Sequence, residues 1–170
     1  MRNIKIVVVF LGLLLTGSAL AETKIAVVDI GKAIFAAEVA KARSDQLKAN
    51  SEYAALQAKY DSTTADMQAL SKDAEAKSMT WSREQLAEYQ KKIEYLRADL
   101  ELTAKKLESE IKTLQNGIIQ ELQPKALEAL KELVEEEKIS LLLRADAVLV
   151  AEPGLNLTAK LTERLNKKTK

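Results

Sequence analysis

Apolar residues recur in a heptad-like rhythm from residue 35 onward: Phe35, Val39, Ala42, Ala49, Tyr53, Leu56, Tyr60, Thr63, Met67, Leu70 and Ala74. Steps of three and four residues mark one narrow face of a helix, a seam that needs a second helix beside it. The 85 residues from Lys32 to Asn116 contain neither glycine nor proline, so the pattern predicts a long helix running toward Lys77. At ~1.5 Å rise per residue such a helix would extend roughly 70 Å, too long for a compact domain of this size.

Ser78-Met79-Thr80-Trp81-Ser82 interrupts the rhythm. Ser82 followed by Gln85 has the form of a capping box, which places a bend at 78–82 and opens a second helix. Leu86, Tyr89, Ile93, Leu96, Leu100, Thr103 and Leu107 resume the three-four rhythm, and Ile111, Leu114 and Ile118 follow with an extra step of four. The simplest partner for each seam is the other one, giving an antiparallel hairpin; self-association in trans is the rival. Pro124 interrupts a pattern that continues through Leu127, Leu130 and Val134, and is expected to kink the returning helix, which ends at Glu135-Glu136-Glu137.

The flanking segments read differently. Lys24-Ile25-Ala26-Val27-Val28-Asp29 predicts a buried strand with Asp29 as the N-cap of the next helix, and Gly31 is expected to admit the turn. The apolar runs 139–143 and 147–151, separated by Arg144-Ala145-Asp146, predict a β-hairpin. Asn156 can cap a last helix with Leu157, Leu161 and Leu165 on one face. The expected class is therefore α+β and mainly helical: an arm over 35–134, with its tip near 78–82, projecting from a small β-rich body of 22–34 and 135–170. So small a sheet is marginal alone. Its strands are too apolar to face water, so it is expected to be shared between subunits.

The first 21 residues are a separate object: Arg2 and Lys5, the apolar run 6–15, then Ala19-Leu20-Ala21. This is the form of a secretory signal peptide cleaved after Ala21, so the mature chain is expected outside the inner membrane. Losing Arg2 and Lys5 leaves 24 basic and 25 acidic residues, a balance that argues against a nucleic-acid binder. The last eleven residues nevertheless carry Lys160, Arg164, Lys167, Lys168 and Lys170 against Glu163, read as a solubilising helix end. The acidic run 135–137 is read as a solvated patch.

The absence of cysteine means no disulfide holds the exported chain, and the absence of histidine removes the usual nucleophile triads, general bases and zinc ligands. With mature glycines only at Gly31, Gly117 and Gly154 there is no phosphate-cradling loop. Enzymatic activity, metal and cofactor are not expected.

The strand KIAVVD, the long helical hairpin, the returning ISLLLRADAVLVAE and the terminal NLTAKLTERLNKK together resemble the Skp/OmpH family of periplasmic chaperones. The resemblance implies a homotrimer whose helical arms enclose a cavity for unfolded outer-membrane proteins, working without ATP. Known members are markedly basic and this chain is near neutral, which weakens any implied contact with lipopolysaccharide or membrane. For client contact the chain offers Met67, Leu70, Met79, Trp81 and Leu86 near the tip, where methionine adapts to varied surfaces and tryptophan gives apolar area with a polar edge. Met67, Leu70 and Leu86 also fit the seam. Lys72, Lys77 and Arg83 are the candidates for lipid or lipopolysaccharide, interleaved with Asp73, Glu75 and Glu84. A periplasmic coiled-coil spacer or adaptor for a folded envelope partner is the alternative.

Overall fold

The computed structural model describes residues 23–170, so the signal-peptide assignment lies outside the described residues. β1 (Ile25–Val28) is followed at once by α1 (Ile30–Ala36), and Asp29 caps that helix by accepting the Lys32 N–H at 2.8 Å. β2 (Leu141–Arg144) pairs with β1 in parallel, Ile25 opposite Leu141 and Val28 opposite Arg144. On the other edge of β1, the Leu157 N–H donates to the Val27 carbonyl at 2.9 Å, so β1 is flanked on both sides.

The expected β-hairpin over 139–151 does not form. A 3-10 turn at Ala145–Ala147 redirects the chain after β2, and the run 147–151 pairs with nothing, leaving Leu149 and Val150 103% and 89% exposed. The two apolar runs looked like partners because they are neighbours in sequence. The better partner for β2 is β1, and a parallel pair cannot be closed by a tight turn.

The first limb is not one helix. It comprises α1, α2 (Glu38–Ala49) and α3 (Ser51–Lys77), separated by extended residues at Ala37 and Asn50. The Asn50 side chain accepts from the Glu52 and Tyr53 N–H groups, offering the backbone a cap in place of a continued helix. At Ala37 the cap comes from elsewhere: Asn166 of α5 (Thr158–Lys168) accepts the Glu38 N–H at 2.9 Å. Gly31 lies inside α1 and supplies no special conformation.

The second limb is a single helix, α4 (Arg83–Glu136), opened by the expected capping box of Ser82 and Gln85. Pro124 lies within it and does not end it. Its ring removes the N–H that would meet the Gln120 carbonyl, and Gln120 is exposed, so water can take that place. α4 stops at Lys138, the one non-glycine among the described residues with positive φ (52°). Ile139 N–H donates to the Val134 carbonyl and Lys138 N–H to that of Glu135, the paired bonds of a Schellman ending. A lysine there lacks glycine's freedom, so Lys138→Gly is expected to raise stability by up to ~1 kcal/mol in urea unfolding.

Two buried clusters form where these elements meet. Ala26, Val28, Ala33, Ala129, Leu130, Leu133, Leu157 and Leu161 make one; Ile34, Ala37, Ala40, Ile118, Leu122, Ala126 and Leu165 make the other. Leu157, Leu161 and Leu165 share the face of α5 that the leucine spacing predicted. Alanines at 33, 37, 40, 126 and 129, all 0 or 1% exposed, remove the bulk that would hold α1 and α2 away from α4.

Beyond these clusters α3 packs on α4, with Lys59 Nζ 2.6 Å from Asp99 Oδ1, and Arg43 of α2 pairs with Glu121 of α4. The inward row is Tyr53, Leu56, Tyr60, Thr63, Met67, Leu70 and Ala74, as its spacing predicted. The earlier members Phe35, Ala42 and Ala49 point outward instead, because the breaks at Ala37 and Asn50 reset the phase. On α4, Leu96, Thr103 and Leu107 are buried while Leu86, Ile111 and Leu127 are exposed.

Candidate functional site

The bend between the limbs is built from short-range hydrogen bonds. Ser78–Thr80 forms a 3-10 turn in which Thr80 Oγ1 donates to the Lys77 carbonyl at 2.8 Å, and Ser82 N–H donates to Gln85 Oε1 at 2.8 Å. Trp81 packs against Tyr89, with ring centroids 5.1 Å apart and planes at 49°, and is half-buried by that contact. Met79 is 98% exposed and Leu86 also faces solvent, whereas Met67 and Leu70 are half-buried on the inward row of α3. The five side chains singled out in the sequence thus divide into an outward pair, an aromatic bracket and two seam residues. They do not converge on a pocket.

Of the three cations near the bend, Lys77 pairs with Asp73 at 2.5 Å, one turn away, while Lys72 and Arg83 are exposed. Glu84, in the first turn of α4, is held below the usual carboxylate range by its own backbone N–H and by the Ser82 hydroxyl. It remains ionised beside Arg83. The surface near the bend therefore alternates in sign rather than presenting a cationic patch.

Spacing did not reveal two further apolar positions on α4, Tyr95 and Leu102, which are 71% and 52% exposed. They lie seven residues apart and so share one flank of the helix, outside the row that meets α3. Its exposure alone separates Tyr95 from the buried row.

At the opposite end, apolar side chains also face solvent: Ile25, Leu141, Leu149, Val150 and Leu155. A cavity of about 370 Å³ is lined by Val28, Ile30, Ile34 and Ile119 together with Asp29, Gln123, Arg144 and Asp146. Among the described residues, no His/Cys/Asp/Glu cluster could hold a metal ion, and no helix is long and apolar enough to cross a membrane.

The acidic run and the basic tail, read separately as a solvated patch and a solubilising end, are joined by solvent-accessible ion pairs through Glu136 and Glu137 on one side and Lys160 and Arg164 on the other. Glu137 bonds Lys160 and Lys24, Arg164 bonds Glu132 and Glu136, and Lys168 bonds Glu128 and Glu132. These contacts tie α5 to the end of α4. Lys160 first and Lys24 second hold the Glu137 carboxyl down from 4.5 to about 2. A carboxylate depressed on folding adds stability above its unfolded value and loses it as pH falls through the folded one. The urea midpoint is expected to fall as pH drops from 4.5 to about 2, and Glu137→Gln to flatten that slope while lowering the midpoint at pH 7.

In sequence comparison, a family model described as Outer membrane protein (OmpH-like) matches residues 24–165. Comparison with curated proteins gives no match. Among solved structures, the chain is similar to one from Caulobacter crescentus CB15 whose description calls it OmpH-like. The TM-score is 0.49 at 17% identity, covering 87% of this chain and 86% of that one.

Proposed function

The chain belongs to the OmpH-like family, and from that premise we propose that it is an ATP-independent holdase of the periplasm. It binds unfolded outer-membrane proteins between helical arms and keeps them from aggregating until they reach the membrane. In this reading 35–134 form the arm, an antiparallel hairpin, and 22–34 with 135–170 form a body through which three copies assemble.

The observation that carries the reading is the dispersed exposure of large apolar side chains along α4 and the bend, Met79, Leu86, Tyr95 and Leu102, with no pocket gathering them. A protein that must hold many unfolded sequences gains from separate weak contacts, which combine when several engage one chain. Preferential binding of the unfolded client lowers its free concentration, and so slows an aggregation step that depends on client meeting client. None of this needs a nucleophile, a metal or a nucleotide. Lipopolysaccharide or membrane contact through Lys72, Lys77 and Arg83 stays secondary, because Asp73 and Glu84 neutralise the same surface.

Light scattering of a denatured β-barrel protein diluted with and without the mature chain tests the proposal. Scattering should be suppressed at stoichiometric chaperone; unchanged scattering would favour the spacer or adaptor. The variant Met79→Ser should retain the helical signal and need roughly tenfold more protein for equal protection, the effect of losing one side chain's worth of apolar contact.

A further inference from the structure

We infer that Asn116 is a site of spontaneous chemical modification: α4 opens locally around it, and its side-chain amide is lost to give aspartate and isoaspartate. The inference stands apart from the holdase reading. Of the chain's asparagines only Asn116 precedes a glycine, Gly117, and it is exposed. Glycine leaves the next backbone nitrogen unhindered and the chain free to turn it toward the carboxamide.

The reaction needs only water. The Gly117 nitrogen bonds to Asn116 Cγ and gives up its proton, the bond from Cγ to the side-chain nitrogen breaks, and that nitrogen leaves with the proton as ammonia. Water then opens the cyclic imide. Addition at Cγ restores the main chain as aspartate, whereas addition at the main-chain carbonyl leaves the chain running through the side chain as isoaspartate.

A closed helix blocks the first step, because the Gly117 N–H is directed at the Thr113 carbonyl and helical backbone turns it away from the Asn116 carboxamide. The structure places Asn116 where that closure is weakest. Every α4 residue from Glu108 to Gly117 is exposed or half-buried, between the buried Leu107 and Ile118. On the first limb the same holds from Lys41 to Ser62. Arg43 pairs with Glu121 and Lys59 with Asp99, so the break at Asn50 faces the part of α4 that contains Asn116. Gly117 weakens the helix further without being required, since a Cβ there would meet nothing within 4 Å and its φ is not positive. A stretch with so little burial opens without the rest of the fold.

Asn50 shows the opposite arrangement. It precedes Ser51, but its carboxamide is held by the Glu52 and Tyr53 N–H groups. Isoaspartate at 116 would add a methylene to the main chain and break the hydrogen-bond ladder of α4, kinking it just outside Ile118, the outermost α4 member of the second buried cluster.

The mature chain, held folded in warm, mildly alkaline buffer, should accumulate isoaspartate at 116 and keep the amides of Asn50, Asn156 and Asn166, as read by peptide mass spectrometry and enzymatic methylation of isoaspartate. Hydrogen exchange of the amides at 116 and 117 reads the opening alone. In Gly117→Ala it should slow about fivefold, the equivalent of the ~1 kcal/mol by which alanine favours the closed helix, and conversion should slow at least as much. Retention of the Asn116 amide in the folded chain, over a period in which the urea-unfolded chain converts, would overturn the inference. A conversion rate that rises in Leu161→Ala would overturn it as well, since that variant raises global unfolding and leaves this stretch untouched.

Discussion

Leu161→Ala is expected to cost roughly 2–5 kcal/mol of unfolding free energy, seen as a large drop in the urea midpoint at fixed protein concentration. Leu161 is 0% exposed and packs among Ala26, Val28, Ala33, Ala129, Leu130, Leu133 and Leu157. These neighbours come from β1, α1, α4 and the approach to α5. Truncation removes the transfer energy of the lost atoms and leaves a cavity, since backbone from three other elements fixes the walls. The ion pairs beside it cannot compensate, because exposed pairs are each worth little. A loss below about 1 kcal/mol would show that α5 is dispensable to the core.

The second large effect has the opposite sign of volume. Ala126→Leu should destabilise by about 1–3 kcal/mol although it adds apolar surface, because Ala126 is fully buried against Ile34, Ala37, Ala40 and Leu122. The adjacent Leu127 provides the control: it is 41% exposed, and Leu127→Ala should stay within ~0.5 kcal/mol in the same urea titration. If both variants unfold alike, close helix approach at Ala126 does not limit this packing.

These two cases show where sequence periodicity was informative. Rows of leucine spaced by four announced the inner face of α5, and the tyrosine, leucine and methionine row from Tyr53 to Ala74 announced the inner face of α3. Alanine gives no such signal, since it occurs equally on buried and exposed helix faces. The tight crossing of α1 and α2 over α4 was consequently invisible. Asn50 was also overlooked, because a cap in mid-pattern matters only if its side chain turns back to the following N–H groups, as it does here.

The candidate site was legible in part. Met79 stands exposed and Trp81 closes the bend against Tyr89, and both were named from residue type and from their place near the bend; what the structure reports is their exposure, not a role. Tyr95 and Leu102 were not singled out, because flank positions become distinct from seam positions only when the phase of the packed pair is known. Pairing of Glu137 with Lys24 and Lys160 joins both ends of the chain, and no local pattern could report it. The strand error had the same origin: adjacency in sequence favoured a hairpin, whereas β2 pairs with β1.

The pairing of Ile25–Val28 with Leu141–Arg144 has a consequence for the order in which the chain folds. α4 and α3 can grow from local contacts, and helix growth is fast. β1 must wait for a partner that lies beyond both long helices, and such distant contacts close slowly because the chain entropy is lost before any contact is gained. A chain emerging N-terminus first would therefore display β1 and α1 with their apolar faces uncovered until its last residues arrive. The helices between them shorten that wait: once they lie side by side, the two ends are already near each other, and the strand pair closes as the final step.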